Sequence, residues 1–191
     1  MSQTPTREDA WALLTEYTDN PSLIKHALGV EAAMRAYARS YDEDEEMWAT
    51  IGLIHDFDYQ QNPTEETHLH VGTGILRERG WPEEWVRIVA SHADYMGVPR
   101  DSRAAKTLFA VDELSGFLTA CALVRPDKAI AEVKVKSVKK KLNDKAFARG
   151  VNRDDVRVGA EELEVDLGEH IEFVRDAMAT IADELELPPA E

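Results

Sequence analysis

The chain has 191 residues, 43% of them hydrophobic, with a formal net charge of −15 at pH 7. That length and apolar content allow a sizeable core and exclude a disordered chain, while the charge opposes binding to nucleic acid or an anionic membrane surface. A lone cysteine, Cys121, excludes an internal disulfide and a cysteine-based zinc site.

The periodicity is helical almost throughout, which predicts an all-α protein with a single domain over 1–191. Thr6 and Asp9 form a capping-box pattern ahead of Leu13, Leu14 and Tyr17. Asn20-Pro21 is a cap followed by a first helical position, and Leu23, Ala27, Val30, Ala33, Met34 and Tyr37 then make one stripe that contains His26. The acidic run from Asp42 to Glu46 favours the start of a helix carrying Trp48, Ile51 and Ile54 and ending near His55-Asp56. Asp58 to Glu66, with Asn62-Pro63, reads as a loop. A helix from about His68 to Arg79, stopped by Gly80, is expected next. Pro82 begins another, with Trp85, Ile88, Val89 and His92 on one face. Tyr95 to Arg100 is a loop, and a long apolar helix runs from roughly Ser102 to Val124 with Asp112 in its middle.

Residues 134–153 differ from the rest. Eight lysines and arginines, Lys134, Lys136, Lys139, Lys140, Lys141, Lys145, Arg149 and Arg153, face Asp144 alone, leaving +7 there and −22 elsewhere. Val133 to Val138 fits either a short strand or a helix. A final amphipathic helix from about Asp166 to Leu187 is ended by Pro188-Pro189.

The residues that carry chemistry are His26, His55-Asp56, His68, His92 and Asp112, most of them set in apolar helical faces. A buried imidazole or carboxylate is costly unless something satisfies it. One such residue is usually a hydrogen-bonded core group. Six on separate segments point to one cation or a pair of them, held inside a helical bundle. Nitrogen and carboxylate donors without thiolate suit Mn, Fe, Co, Ni, Zn or Mg. His70, His170, Cys121, Trp48, Trp81 and Trp85 read as surface or packing residues.

In the order H…HD…D, His26, His55-Asp56 and Asp112 resemble the HD-domain superfamily of metal-dependent phosphohydrolases, over roughly residues 20–125. His68 with Gly72, Ile75 and Leu76, then Gly80 to Glu84 and His92, resemble its bacterial HDIG-type subgroup. The resemblance implies an HD core at 20–125 with a C-terminal helical extension at 126–191. It implies that His26, His55, Asp56 and Asp112 bind a first metal. His68 and His92 bind a second with Asp56 bridging, or serve a one-metal site in catalysis. Tyr59 stands where many relatives carry lysine, and Asp58 is a candidate acid or base beside His68 and His92. The segment 133–153 also resembles the C-terminal part of an HD subgroup that names no substrate.

The implied reaction is hydrolysis of a small phosphorylated molecule, a nucleotide or phosphate monoester, by water activated on one or two divalent ions. Lys136, Lys139, Lys140 and Lys145 are candidates for the substrate phosphate. A di-iron oxygenase of the HD type and a non-catalytic nucleotide-binding module are the rival readings. No G-x-S-x-G elbow is present and Cys121 lies in an apolar stretch, which disfavours serine or cysteine chemistry. No run approaches the roughly 18 apolar residues of a spanning helix. The first eleven residues lack a basic region leading into an apolar run. A cytoplasmic monomer or homodimer without nucleic-acid or membrane partners is expected.

Overall fold

The computed structural model describes residues 4–188. Among them the fold is all-helical, with nine α-helices, two short 3-10 turns and no strands. No helix is long and apolar enough to cross a membrane. The chain divides into two compact units, one running to Leu108 and the other from Phe109.

The first unit holds five helices and the start of a sixth. Helix α1 (Arg7–Tyr17) opens with the expected capping box, Thr6 and Asp9 each bonding the other's backbone. Helix α2 (Pro21–Ser40) starts on Asn20, whose side chain accepts from Ser22 N–H, and buries Ala27, Val30, Ala33, Met34 and Tyr37. Helix α3 (Glu45–Ile54) is capped by Asp44 and buried from Trp48 to Ile54. It packs chiefly on α2 and α1. Gly52 sets that approach: a Cβ there would meet Met34 Cγ at 3.0 Å and the α2 backbone at 3.2 Å. Buried Glu31 on α2 takes a two-pronged ion pair from Arg7, at 2.6 and 2.9 Å.

Two features fix the stretch after α3. Phe57 is fully buried, edge-on to Tyr17 at 5.2 Å, and its carbonyl accepts from Thr18 Oγ1. Gln60 Oε1 accepts from the N–H groups of both Asp19 and Asn20. Helix α4 (His70–Glu78) begins two residues later than the sequence suggests. The reason is Leu69, buried with φ at +61°, a left-handed conformation that no helix interior allows. His68 therefore precedes the helix. Helix α5 (Glu83–Ser91) follows Pro82 and buries Trp85, Ile88 and Val89. A 3-10 turn (Asp94–Met96) ends on Gly97 at φ +63°.

Helix α6 (Arg103–Leu123) begins in the first unit and continues into the second. There a second 3-10 turn (Ile130–Glu132) leads into α7 (Val135–Lys141), so Val133 to Val138 is helical where a strand was the alternative. Helix α8 (Arg153–Glu162) has no counterpart in the sequence reading. Its signals are Asn152, which caps Asp154 and Asp155, and Val156 with Ala160 one turn apart. Two apolar residues are too few to stand out beside a run of lysines. Helix α9 (Leu167–Ala179) starts on the cap Asp166 but ends eight residues short of the expected Leu187. Thr180 Oγ1 bonds the Ala177 carbonyl, and the chain goes on in turns, with Leu185 and Leu187 buried and Glu186 at φ +54°. Of the expected Pro188-Pro189 stop, Pro189 lies outside the described residues.

Within the second unit α8 approaches α6 at Gly159, where a Cβ would meet Ala110 Cα at 2.6 Å. His170 is buried and donates from Nε2 to the Ala110 carbonyl, so it is a packing residue. Cys121 is buried as well, which pushes its thiol up to about 11 and leaves it without nucleophilic character near neutrality.

Gly159→Ala is expected to cost about 1–3 kcal/mol, because the new methyl meets backbone rather than a yielding side chain; denaturant unfolding measures it. A second expectation concerns acid. Burial depresses the His170 pKa below its ordinary value despite the Ala110 bond. The unfolded chain then binds the proton more readily, so the associated stability is present above about pH 6.5 and declines as pH falls below it. Unfolding curves between pH 7 and pH 5 should show wild type losing more stability than His170→Gln.

Candidate metal centre

Two helices of the first unit end in the same way. His55 follows α3 and donates from Nδ1 to the Gly52 carbonyl at 2.8 Å, three residues back. His92 follows α5 and donates from Nδ1 to the Val89 carbonyl at 2.7 Å, again three residues back. Each bond goes to a carbonyl in the last turn of its helix, where acceptor capacity is left over. Each also settles the tautomer: with the proton on Nδ1, the Nε2 of a neutral ring is a lone pair. His68, held in the turn before α4, does the same with another acceptor, its Nδ1 lying 3.1 Å from Asp58 Oδ1.

These Nε2 atoms converge on Asp56. Those of His68 and His92 lie 3.1 and 3.2 Å from Asp56 Oδ1, and that of His55 lies 3.6 Å from Asp56 Oδ2. His26, on α2, adds its own Nε2 at 3.2 Å from the Nε2 of His55. Asp56 Oδ1 is sealed from solvent, yet it takes no well-aligned hydrogen bond from either nearby nitrogen. Lone pairs of nitrogen and oxygen thus face each other in a buried place, which is repulsive unless a positive charge lies among them. Two ligands of one ion, each at about 2.1 Å and at right angles, stand roughly 3 Å apart. The spacings around Asp56 Oδ1 match that, so the residues fit a divalent cation. Asp56 belongs to both candidate sets, with His26 and His55 on one side and His68 and His92 on the other, ligand atoms within 4.8 Å of one another in each.

The electrostatics agree. Burial works against a charge on His68, but the carboxylates of Asp56 and Asp58 outweigh it and raise its pKa to about 9. Burial also works against ionised Asp56, and the surrounding His55, His68 and His92 hold its pKa well below the usual range. The pocket is built to keep positive charge beside Asp56. The C-terminal ends of α3 and α5, both aimed here, favour a cation as well.

Asp58 is fully buried and does not line this cluster directly. It sits behind His68, and its Oδ2 accepts from the backbone N–H groups of Leu69 and Gly72 at 3.2 and 3.1 Å. Tyr59 and Tyr95 flank His68, with ring centroids at 5.1 and 6.4 Å, and both are more than one-third exposed. No motif in the sequence singles out Tyr95, which reaches His68 from the Asp94–Met96 turn. Gly72 stands out in the sequence only as a packing residue. Asp112 lies half-buried in the part of α6 that belongs to the second unit. Lys136, Lys139, Lys140 and Lys145 are exposed side chains of that unit. Lys145 lines a cavity of about 430 Å³ there with Asn143, Asn152, Arg153 and Arg157. Lys139 Nζ occupies the space that a Gly168 side chain would fill. His70 is exposed.

An all-helical fold whose first unit gathers histidines around the carboxylate of Asp56 defines a helical protein with a His/Asp cluster able to hold a metal ion. Residues 23–116 match the HD domain family, and further C-terminal helices follow the matched stretch. No curated protein and no solved structure matches it significantly.

Divalent ions should raise the melting temperature of the purified protein. An ion at one hundred times its dissociation constant stabilises by about 2.7 kcal/mol. Thermal scans with and without Mn²⁺ or Ni²⁺, beside elemental analysis, should show most of that gain lost in His55→Ala and His92→Ala.

Proposed function

We propose that the protein is a metal-dependent phosphohydrolase of the HDIG type acting on a small phosphorylated molecule, a nucleotide or a phosphate monoester. The observation that carries this reading is the convergence of buried Nε2 lone pairs on Asp56, within the stretch that matches the HD domain family. In the proposal His26, His55 and Asp56 hold a first ion together with Asp112, and Asp56, His68 and His92 hold a second.

A bound divalent ion supplies a water of lowered pKa as nucleophile and neutralises charge developing on the phosphoryl oxygens. The chain's own residues prepare for that. His55 and His92 present neutral Nε2 atoms because backbone carbonyls keep their protons on Nδ1. Asp56 offers one oxygen to each side of the cluster. With two ions, His68 and His92 are ligands. With one, His68, whose pKa Asp56 and Asp58 raise to about 9, can carry a second proton on Nε2 and pass it to the leaving oxygen. Tyr59 and Tyr95, partly open to solvent beside His68, border the way in. Lys136, Lys139, Lys140 and Lys145 are the proposed cations for the substrate phosphate, since a site rich in carboxylates otherwise repels it.

A donor set of imidazole and carboxylate that shares one aspartate also suits a pair of irons, which supports an HD-type di-iron oxygenase as a second reading. Metal identity separates the two. Two irons per chain with oxygen uptake favour the oxygenase.

The test is phosphate release from a panel of nucleotides and phosphate monoesters by protein loaded with Mn, Co, Ni, Fe or Mg. Activity with at least one ion is expected, falling at least about a hundredfold in Asp56→Ala. Silence across the whole panel with every ion would sink the phosphohydrolase reading.

A further inference from the structure

We infer that Asp58 is a positioning residue that fixes the tautomer of His68 and thereby makes its Nε2 a metal ligand, and that Gly72 is glycine to leave room for this carboxylate. The inference rests on the metal-centre reading above and gives a role to two residues that the reading leaves aside.

Asp58 is fully buried, so its carboxylate needs partners on both oxygens. It has them. Oδ2 accepts from the backbone N–H groups of Leu69 and Gly72, the cap and third residue of α4. Leu69 has no side chain able to cap the helix, and Asp58, eleven residues upstream of it in the sequence, caps it instead. A carboxylate at a helix N-terminus is further favoured by the helix dipole. With Oδ2 committed to two backbone donors, Oδ1 is left facing His68 Nδ1 at 3.1 Å. An ionised carboxylate only accepts, so the imidazole must place a proton on Nδ1. Its Nε2 is then directed at Asp56 Oδ1, 3.1 Å away.

Gly72 and Leu69 complete the arrangement. A Cβ on residue 72 would stand 2.6 to 2.9 Å from Asp58 Oδ1, Cγ and Oδ2, closer than real side chains approach. Leu69 at φ +61° turns its N–H toward Asp58 and lets His68 leave the helix path. A leucine at positive φ is strained, and a surrounding structure must over-determine it. Its full burial and the Asp58 bond do so. His55 and His92 are oriented by carbonyls of their own helices. His68 precedes its helix, and a side chain from another part of the chain, Asp58, takes that task.

Asp58→Asn is the most telling change, because it keeps the shape and reverses one donor. The amide oxygen stays on the two backbone N–H groups, and the NH₂ then faces His68 Nδ1. Nδ1 must accept, the proton moves to Nε2, and the lone pair aimed at Asp56 is lost. Outer-shell changes of this kind typically weaken metal binding about 10–100-fold.

Two measurements are made on wild type, Asp58→Asn and Gly72→Ala: the imidazole ¹⁵N correlations of metal-free protein, recorded above about pH 9 so that His68 is a neutral ring, and titration calorimetry with Mn²⁺. In wild type His68 should be protonated on Nδ1 and two ions should bind. In Asp58→Asn the proton should sit on Nε2, and the weaker of the two ions should lose about 10–100-fold in affinity, with the other unchanged. Gly72→Ala should weaken the same ion. Wild-type His68 protonated on Nε2 alone would overturn the inference, as would an Asp58→Asn variant that binds both ions within threefold of wild type. Wild type binding fewer than two ions overturns the two-ion reading instead, and the tautomer of His68 still decides the role of Asp58. Should Asp58→Asn fail to fold, the wild-type tautomer and Gly72→Ala carry the test.

Discussion

Buried lone pairs that point at one another need a positive charge between them, and the first unit is organised around that requirement. Three imidazoles send Nε2 toward Asp56, and two of them come within 3.2 Å of a single sealed oxygen. Nothing in the hydrophobic core asks for this. An apolar replacement would pack as well and avoid the cost of burying polar groups. The local architecture follows from the need to bring those atoms together. Helices α3 and α5 each terminate just before an imidazole, α2 carries His26 alongside, and α4 starts late so that His68 can turn inward.

Each imidazole is oriented by the donor at its far nitrogen, and this decides what the near nitrogen can do. A carbonyl three residues back performs that task at two helix ends, with almost the same distance in both. The solution is local: any helix that ends in histidine can use it, and it draws on the acceptor capacity left over in the last turn. His68 needs a partner from elsewhere, and that single difference draws in Asp58, the left-handed Leu69 and the glycine at position 72. Close packing makes the geometry reproducible. Gly52 lets α3 approach α2 near the ring pair His26 and His55, while Phe57 and Gln60 anchor the chain just after Asp56 to the start of α2.

Much of the fold was legible in the sequence, for identifiable reasons. Caps with a chemical mechanism, at Thr6 and Asn20, marked helix starts correctly, and the acidic run from Asp42 to Glu46 marked another, which Asp44 caps. Gly80 and Pro82 marked a stop and a start. Where side-chain pattern was the sole guide, the boundaries slipped. Helix α8 was missed because Val156 and Ala160 are a thin apolar signal. Helix α9 stops eight residues before its apolar pattern does, because Ile181 and Leu185 continue the periodicity while the backbone has already left the helix. The basic segment stands out by composition, yet composition says nothing of what its lysines face. Lys139 lies by Gly168, and Lys145 borders a separate cavity of the second unit.

The sequence by itself determined the helical class and the kinds of donor atom available. Those depend on residue identity and on short-range order along the chain: a 3.6-residue period, a cap, a histidine next to an aspartate. Tertiary structure decided which nitrogen of each ring faces the centre. Periodicity fixes the face of a helix but not the tautomer of a ring, and the tautomer depends on an acceptor that for His68 lies ten residues away in a fold-dependent position. It also decided the fate of Asp58. In the sequence that residue is a carboxylate two positions after an aspartate and free to take any role. In the folded protein it is enclosed, bonded to one ring nitrogen and two backbone amides, because only the packing of α4 against the turn after α3 brings those three donors to the same place.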